Sequence, residues 1–153
     1  MQNKPSCIIL HHAAAKKCTI HDIHQWHLNI GWLGCGYHFF ISKDGMIYRG
    51  RPQETNGSHT IGANAKSIGV CIEGNYNEEA HVPDAQMKAL VQLAKHIALP
   101  VRHHKEFSST DCPGKNFPWD SFVRMVESND EKKSVDQILS EIIDSIQELR
   151  DSL

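Results

Sequence analysis

A chain of 153 residues, 40% hydrophobic and 22% charged, is long enough to bury one core without disulfide staples. No apolar stretch approaches the ~20 residues of a membrane span and no signal-peptide core opens the chain, so the expectation is a protein of the cytoplasm, or one that leaves it without a cleaved signal. Charge is unevenly placed: residues 1–126 hold 13 Lys+Arg and 10 Asp+Glu (+3) with all 11 histidines, while residues 127–153 hold 3 and 8 (−5). A body at +3 is too weakly basic for nucleic acid, and five unpaired-looking cysteines favour reduced thiols over a disulfide framework.

The first element is a strand over Ser6–Leu10, short, continuous and β-branched, running into His11 and His12. Alternation along a strand points these two histidines to opposite sides, so only one can face a given metal. Thr19 is an N-cap with Asp22 as the acid of a capping box, opening a helix over Ile20–Ile30. Ile23, Trp26, His27 and Ile30 form its expected buried face. After the Gly31–Gly36 stop, Tyr37–Ser42 and Met46–Arg49 make a hairpin around Lys43, Asp44 and Gly45. A polar loop over Arg51–Asn64 precedes a strong apolar strand over Ser67–Glu73. Pro83 and Asp84 start a helix to about Ala98, with Met87, Leu90, Val91, Ala94 and Ile97 inward. Leu99–Val101 reads as a buried strand emptying into a loop that returns at Cys112, Pro113 and Gly114. Phe117–Val126 is a short helix with Trp119, Phe122 and Val123 on one face. Strands and helices in this order imply an α/β domain, a mixed central sheet flanked by helices.

The tail differs in character. Val135, Leu139, Ile142, Ile146, Leu149 and Leu153 are spaced 4, 3, 4, 3, 4, a heptad seam widened by Ile138 and Ile143. The division is therefore a domain over 1–126 and, over 127–153, a linker with a C-terminal amphipathic helix. That helix either packs on its own domain or, through Val135–Leu153, builds a homo-oligomer.

One histidine of the first strand, His104 and Cys112 make a His₂Cys set. Three protein ligands leave the fourth tetrahedral position of Zn²⁺ open, as in catalytic rather than structural zinc. Such an ion polarises a carbonyl and brings the pKa of its water to roughly 7.

IILHHA at 8–13, WLGCGYHF at 32–39, YRGR at 48–51, GSH at 57–59, SIGVC at 67–71 and DCPG at 111–114 come in the order of one family. Over residues 6–124 the chain resembles the zinc-dependent N-acetylmuramoyl-L-alanine amidases of type 2, which include phage lysozyme-amidases and peptidoglycan recognition proteins. The resemblance implies one zinc ion on His11, His104 and Cys112. It matches Tyr37 to a tyrosine that assists catalysis, and Thr110 to a position where some phage relatives carry lysine and recognition-protein amidases carry threonine. It implies that His59 lines the substrate groove; Arg51 and Asn64 are further candidate polar contacts, and Trp32, in a glycine-rich loop, is the candidate exposed aromatic for substrate, while Trp26 and Trp119 read as core. The implied reaction is hydrolysis of the amide between N-acetylmuramic acid and L-alanine of the peptidoglycan stem. The implied setting is a phage or prophage endolysin, made in the cytoplasm and acting on the wall after release. The alternatives are a non-catalytic peptidoglycan-binding module and a cytoplasmic muropeptide-recycling amidase.

Overall fold

The computed structural model describes residues 2–128 and, beyond them, 139, 140, 142, 143, 146, 147 and 150. Its elements are β1 (Cys7–His12), α1 (Ile20–Asn29), β2 (Phe39–Ile41), β3 (Ile47–Arg49), β4 (Ser67–Ile72), α2 (Asp84–Ile97), β5 (Val101–His103) and α3 (Trp119–Glu127). The strands lie in the order β3-β2-β4-β1-β5. Only β3 runs antiparallel to its neighbour; β2, β4, β1 and β5 are mutually parallel. The expected mixed sheet with flanking helices is therefore present.

Alternation along the strands builds two unequal cores. Ile8 and Leu10 of β1, Phe39 and Ile41 of β2, and Ile68, Val70 and Ile72 of β4 face α2 and α3, meeting Met87, Leu90, Leu93, Ala94 and Phe122. Burying a side chain of this size contributes roughly 1.5–3 kcal/mol, so this face carries most of the stability. The opposite face holds Phe40 and Cys71 against Cys18, Ile23 and Cys35. Its residues are smaller, and it leaves room for the site.

Four expectations are corrected here. β1 continues through both histidines, because parallel pairing with β4 extends to His11↔Cys71 and His12↔Ile72. Of the expected inward face of α1 only Ile23 is buried; Trp26 is 43% and Ile30 63% exposed, since the small second core receives Ile23 with Ile20 at its margin and leaves no room for the later turns. The strand near residue 100 begins at Val101 rather than Leu99 and is an edge strand, half-buried at best. The hairpin strands are also shorter than expected. Thr19 caps α1 with Asp22 in a reciprocal capping box, and Trp119 is half-buried against the main core.

In the tail, the described residues are helical, and Leu139, Ile142, Ile143 and Ile146 are exposed. Val135, Ile138, Leu149 and Leu153 of the expected seam lie outside the described residues. Among the described residues no helix is long and apolar enough to cross a membrane.

Candidate metal centre and active site

β1, β4 and β5 are parallel, so their carboxyl ends meet at one edge, where ligands of α/β sheets sit. β1 places His11 and His12 there on opposite faces. His12 turns toward the main core, where its Nδ1 accepts a hydrogen bond from the Tyr76 backbone N–H at 3.0 Å. His11, 1% exposed, turns to the face of Cys71 and the second core.

The chain leaving β5 forms a 3-10 turn over His104–Glu106, closed by Glu106, whose carboxylate accepts from His103 N–H at 3.1 Å. It returns at Cys112, whose carbonyl accepts from Lys105 N–H at 3.1 Å. Cys112 N–H in turn donates to Thr110 Oγ1 at 3.2 Å. Gly114, at φ 114°, lies so close to Tyr76 that a Cβ would stand 2.6 Å from its backbone. Tyr76 thus docks the returning loop beside β1.

These elements bring His11, His104 and Cys112 together, with one ligand atom from each all within 4.8 Å of one another. Cys112 Sγ is 3.8 Å from His11 Nδ1. Tetrahedral zinc with its usual bond lengths would hold N and S about 3.6 Å apart. His104 engages Ser108 Oγ through Nε2 at 3.0 Å, leaving Nδ1 for a metal. Burial first, then His59, His104 and His12, holds His11 well below its ordinary value. Burial also lowers His104 and pushes the Cys112 thiol up to about 11. The set is therefore neutral, and a divalent cation is the charge that would draw a thiolate out of it. Geometry and donor chemistry both fit zinc, and three ligands leave one position open.

The remaining sequence-predicted residues divide. Tyr37 packs its ring 5.1 Å from that of His11. Burial, then Cys71 and Cys112, raises its phenol well above the ordinary value, so it stays a proton donor. Its backbone is clamped by Arg51 N–H onto Tyr37 O at 2.9 Å. Trp32, 38% exposed, lines a groove of about 580 Å³ together with Ser58, His59, Thr60, Ile61, Asn64, His104 and Ser108. Thr110 is exposed on the loop before Cys112.

Arg51 is not part of this groove. Its guanidinium donates to Cys35 O at 3.0 Å, Asn56 O at 2.8 Å and Ser58 Oγ at 3.1 Å, tying two loops together. Asn64 turns its side-chain oxygen to the backbone N–H groups of His59 and Thr60, both at 2.8 Å. His59 is buried at the groove floor, its Nδ1 3.0 Å from His11 Nε2. Sequence reasoning missed Thr60, whose hydroxyl lies 3.3 Å from His11 Nε2. No spacing signal marks a threonine that acts through a residue 49 positions away.

The chain matches the family described as N-acetylmuramoyl-L-alanine amidase over residues 1–115. It is 39% identical over 116 residues to the endolysin of Klebsiella phage KP32, covering 67% of this chain and 76% of the phage protein. To the endolysin of Escherichia phage T7 it is 37% identical over 118 residues, covering 69% and 78%. The solved structure of the N-acetylmuramoyl-L-alanine amidase LysC from Clostridium intestinale URNW is similar with a TM-score of 0.75 at 41% identity, over 78% of this chain and 83% of that one.

Proposed function

The chain belongs to the N-acetylmuramoyl-L-alanine amidase family, and from that premise we propose that it is a zinc-dependent endolysin of a phage or prophage. Its substrate is bacterial peptidoglycan, and the bond cut is the amide between the lactyl group of N-acetylmuramic acid and the L-alanine that begins the stem peptide. The observation that carries this reading is the convergence of His11, His104 and Cys112 beside Tyr37 and an open groove. The similarity to phage endolysins favours the lytic role over muropeptide recycling. The presence of all three ligand types favours cutting over recognition alone.

His11, His104 and Cys112 would hold one Zn²⁺. When bound, the ion supplies Lewis acidity toward the amide carbonyl and toward water. The chain's own residues do the rest. The groove beside Trp32 and Ile61 seats the glycan and stem peptide with the scissile amide at His104. Tyr37 donates its phenolic O–H to the carbonyl oxygen as that oxygen gains charge, the position where a preformed donor lowers a barrier most. Thr110 Oγ1 already accepts from Cys112 N–H, which orders the turn carrying the thiolate and leaves the hydroxyl proton for the same oxyanion.

Digestion of purified peptidoglycan by zinc-loaded protein, with and without chelator, tests the reading by product mass. Free peptides beginning with L-alanine, lost on chelation and restored by Zn²⁺, are expected. Intact wall that retains the protein would move the reading to a recognition module. Cleavage at another bond would mean that the fold here serves different chemistry.

A further inference from the structure

His11 is almost fully buried, so whatever its second ring nitrogen needs must come from the protein. Nδ1 faces Cys112 Sγ at 3.8 Å and is the metal side of the ring. A metal on Nδ1 requires the proton on Nε2, and a buried N–H requires an acceptor. Two lie within reach: His59 Nδ1 at 3.0 Å and Thr60 Oγ1 at 3.3 Å, themselves 3.0 Å apart.

His59 is built into this place. Asn64 Oδ1 accepts from the backbone N–H of both His59 and Thr60, pinning the turn that carries them. Gly57 and Gly69 line the slot for the ring, and a Cβ on either would stand 2.4 Å from His59 Cδ2. Nδ1 of His59 is taken by His11 and Thr60, and Nε2 is buried without a hydrogen-bond partner. Nδ1, the nitrogen aimed at the site, is thus turned to His11 and Thr60 rather than to the groove.

We infer that His59, with Thr60, is a positioning residue that holds His11 in the tautomer whose Nδ1 faces the metal. The inference rests on the metal role of His11 proposed above. It replaces the expectation that His59 and Asn64 bind substrate: Asn64 orients the pair, and the pair orients the ligand.

The test uses the full chain and zinc itself, with affinity read by chelator competition. His59→Phe keeps a ring in the slot but removes the acceptor; it should weaken zinc binding by about 10- to 100-fold, the usual effect of losing such a partner. His59→Asn, which sets an amide oxygen near the place of Nδ1, should recover most of that loss. The KM of His59→Phe at saturating zinc should match wild type. Unchanged zinc affinity together with a raised KM would overturn the inference and return His59 to substrate binding. Should His59→Phe fail to fold, ¹⁵N NMR of the zinc-loaded wild type decides alone: His11 must be bound through Nδ1 and protonated at Nε2, and binding through Nε2 overturns the assignment. A wild type that binds zinc no better than Cys112→Ser would instead overturn the metal reading on which this rests.

Discussion

Cys112 shows how much of the site depends on single side chains. It is buried, and burial pushes its thiol up to about 11, so the thiolate exists only beside a cation. Cys112→Ser and His104→Ala should each abolish zinc retention and wall cleavage while leaving the far-UV spectrum of the folded chain; retained cleavage in either would contradict the ligand assignment. Tyr37→Phe should act differently, lowering kcat by about 10²–10³-fold with zinc content unchanged by metal analysis. The late loop was legible in sequence because His104 and Cys112 are close along the chain and of metal-binding type. The choice between His11 and His12 was not legible from the residues alone, since a strand of period two offers one to each face, and the positions of Tyr76 beside His12 and Cys112 beside His11 show which is which. Arg51 lies outside the groove lining, a placement not legible in sequence because loop residues that hold backbone and loop residues that hold ligand have the same composition.

At the scale of elements, α2 is tied to the sheet by one polar residue. Gln86 is fully buried, donates to Ile41 O and Glu73 O, both at 2.9 Å, and accepts from the Tyr76 hydroxyl. Each buried group left unpaired costs about 1–3 kcal/mol. Gln86→Leu should therefore lower stability by roughly 2–4 kcal/mol, read as a lower urea midpoint, despite the gain in apolar character. Helix periodicity found α2 and its core face but passed over Gln86, because a polar residue between apolar ones reads as solvent-facing. The error at α1 is the converse. Trp26 and Ile30 fall at core spacing yet are exposed, because spacing reports which residues share a face and not how much core is there to receive them.

For the whole molecule, four of the eleven histidines are structural acceptors. The backbone N–H groups of Cys35, Gly36, Gly69 and Tyr76 donate to Nδ1 of His24, His27, His38 and His12 respectively. Protonating Nδ1 of His12, His27 or His38 sets N–H against N–H. Burial, then Arg51 and His24, holds His27 below its ordinary value; burial does the same for His38, against the opposing pull of Thr55 O. Groups lowered in the folded state contribute stability that is complete above the unfolded value of about 6.5 and is lost as pH falls through the folded one. The urea midpoint should thus be flat from about pH 8 to 7 and fall below about 6.5, and His27→Asn, an acceptor that cannot titrate, should flatten part of that fall. The tail makes a separate proposal: Leu139, Ile142, Ile143 and Ile146 are exposed on helical residues, as a self-association seam requires. Light scattering should find a smaller assembly for a chain ending at Glu127 than for the full chain; equal mass per chain would sink the oligomer.

The ligands of the proposed centre lie far apart along the chain, His11 and Cys112 being 101 positions from each other. β1 is made first, and it pairs on one side with β4 and on the other with β5. On a ribosome, then, β1 must wait with one edge open until Val101–His103 is released to cover it. The loop that brings Cys112 to His11 follows only after that. A nascent or prematurely terminated chain would hold His11 without the partners proposed for it and could not assemble that centre. On the endolysin reading proposed above, an enzyme directed at the wall of the cell that translates it would gain its activity only when synthesis has passed the last proposed ligand.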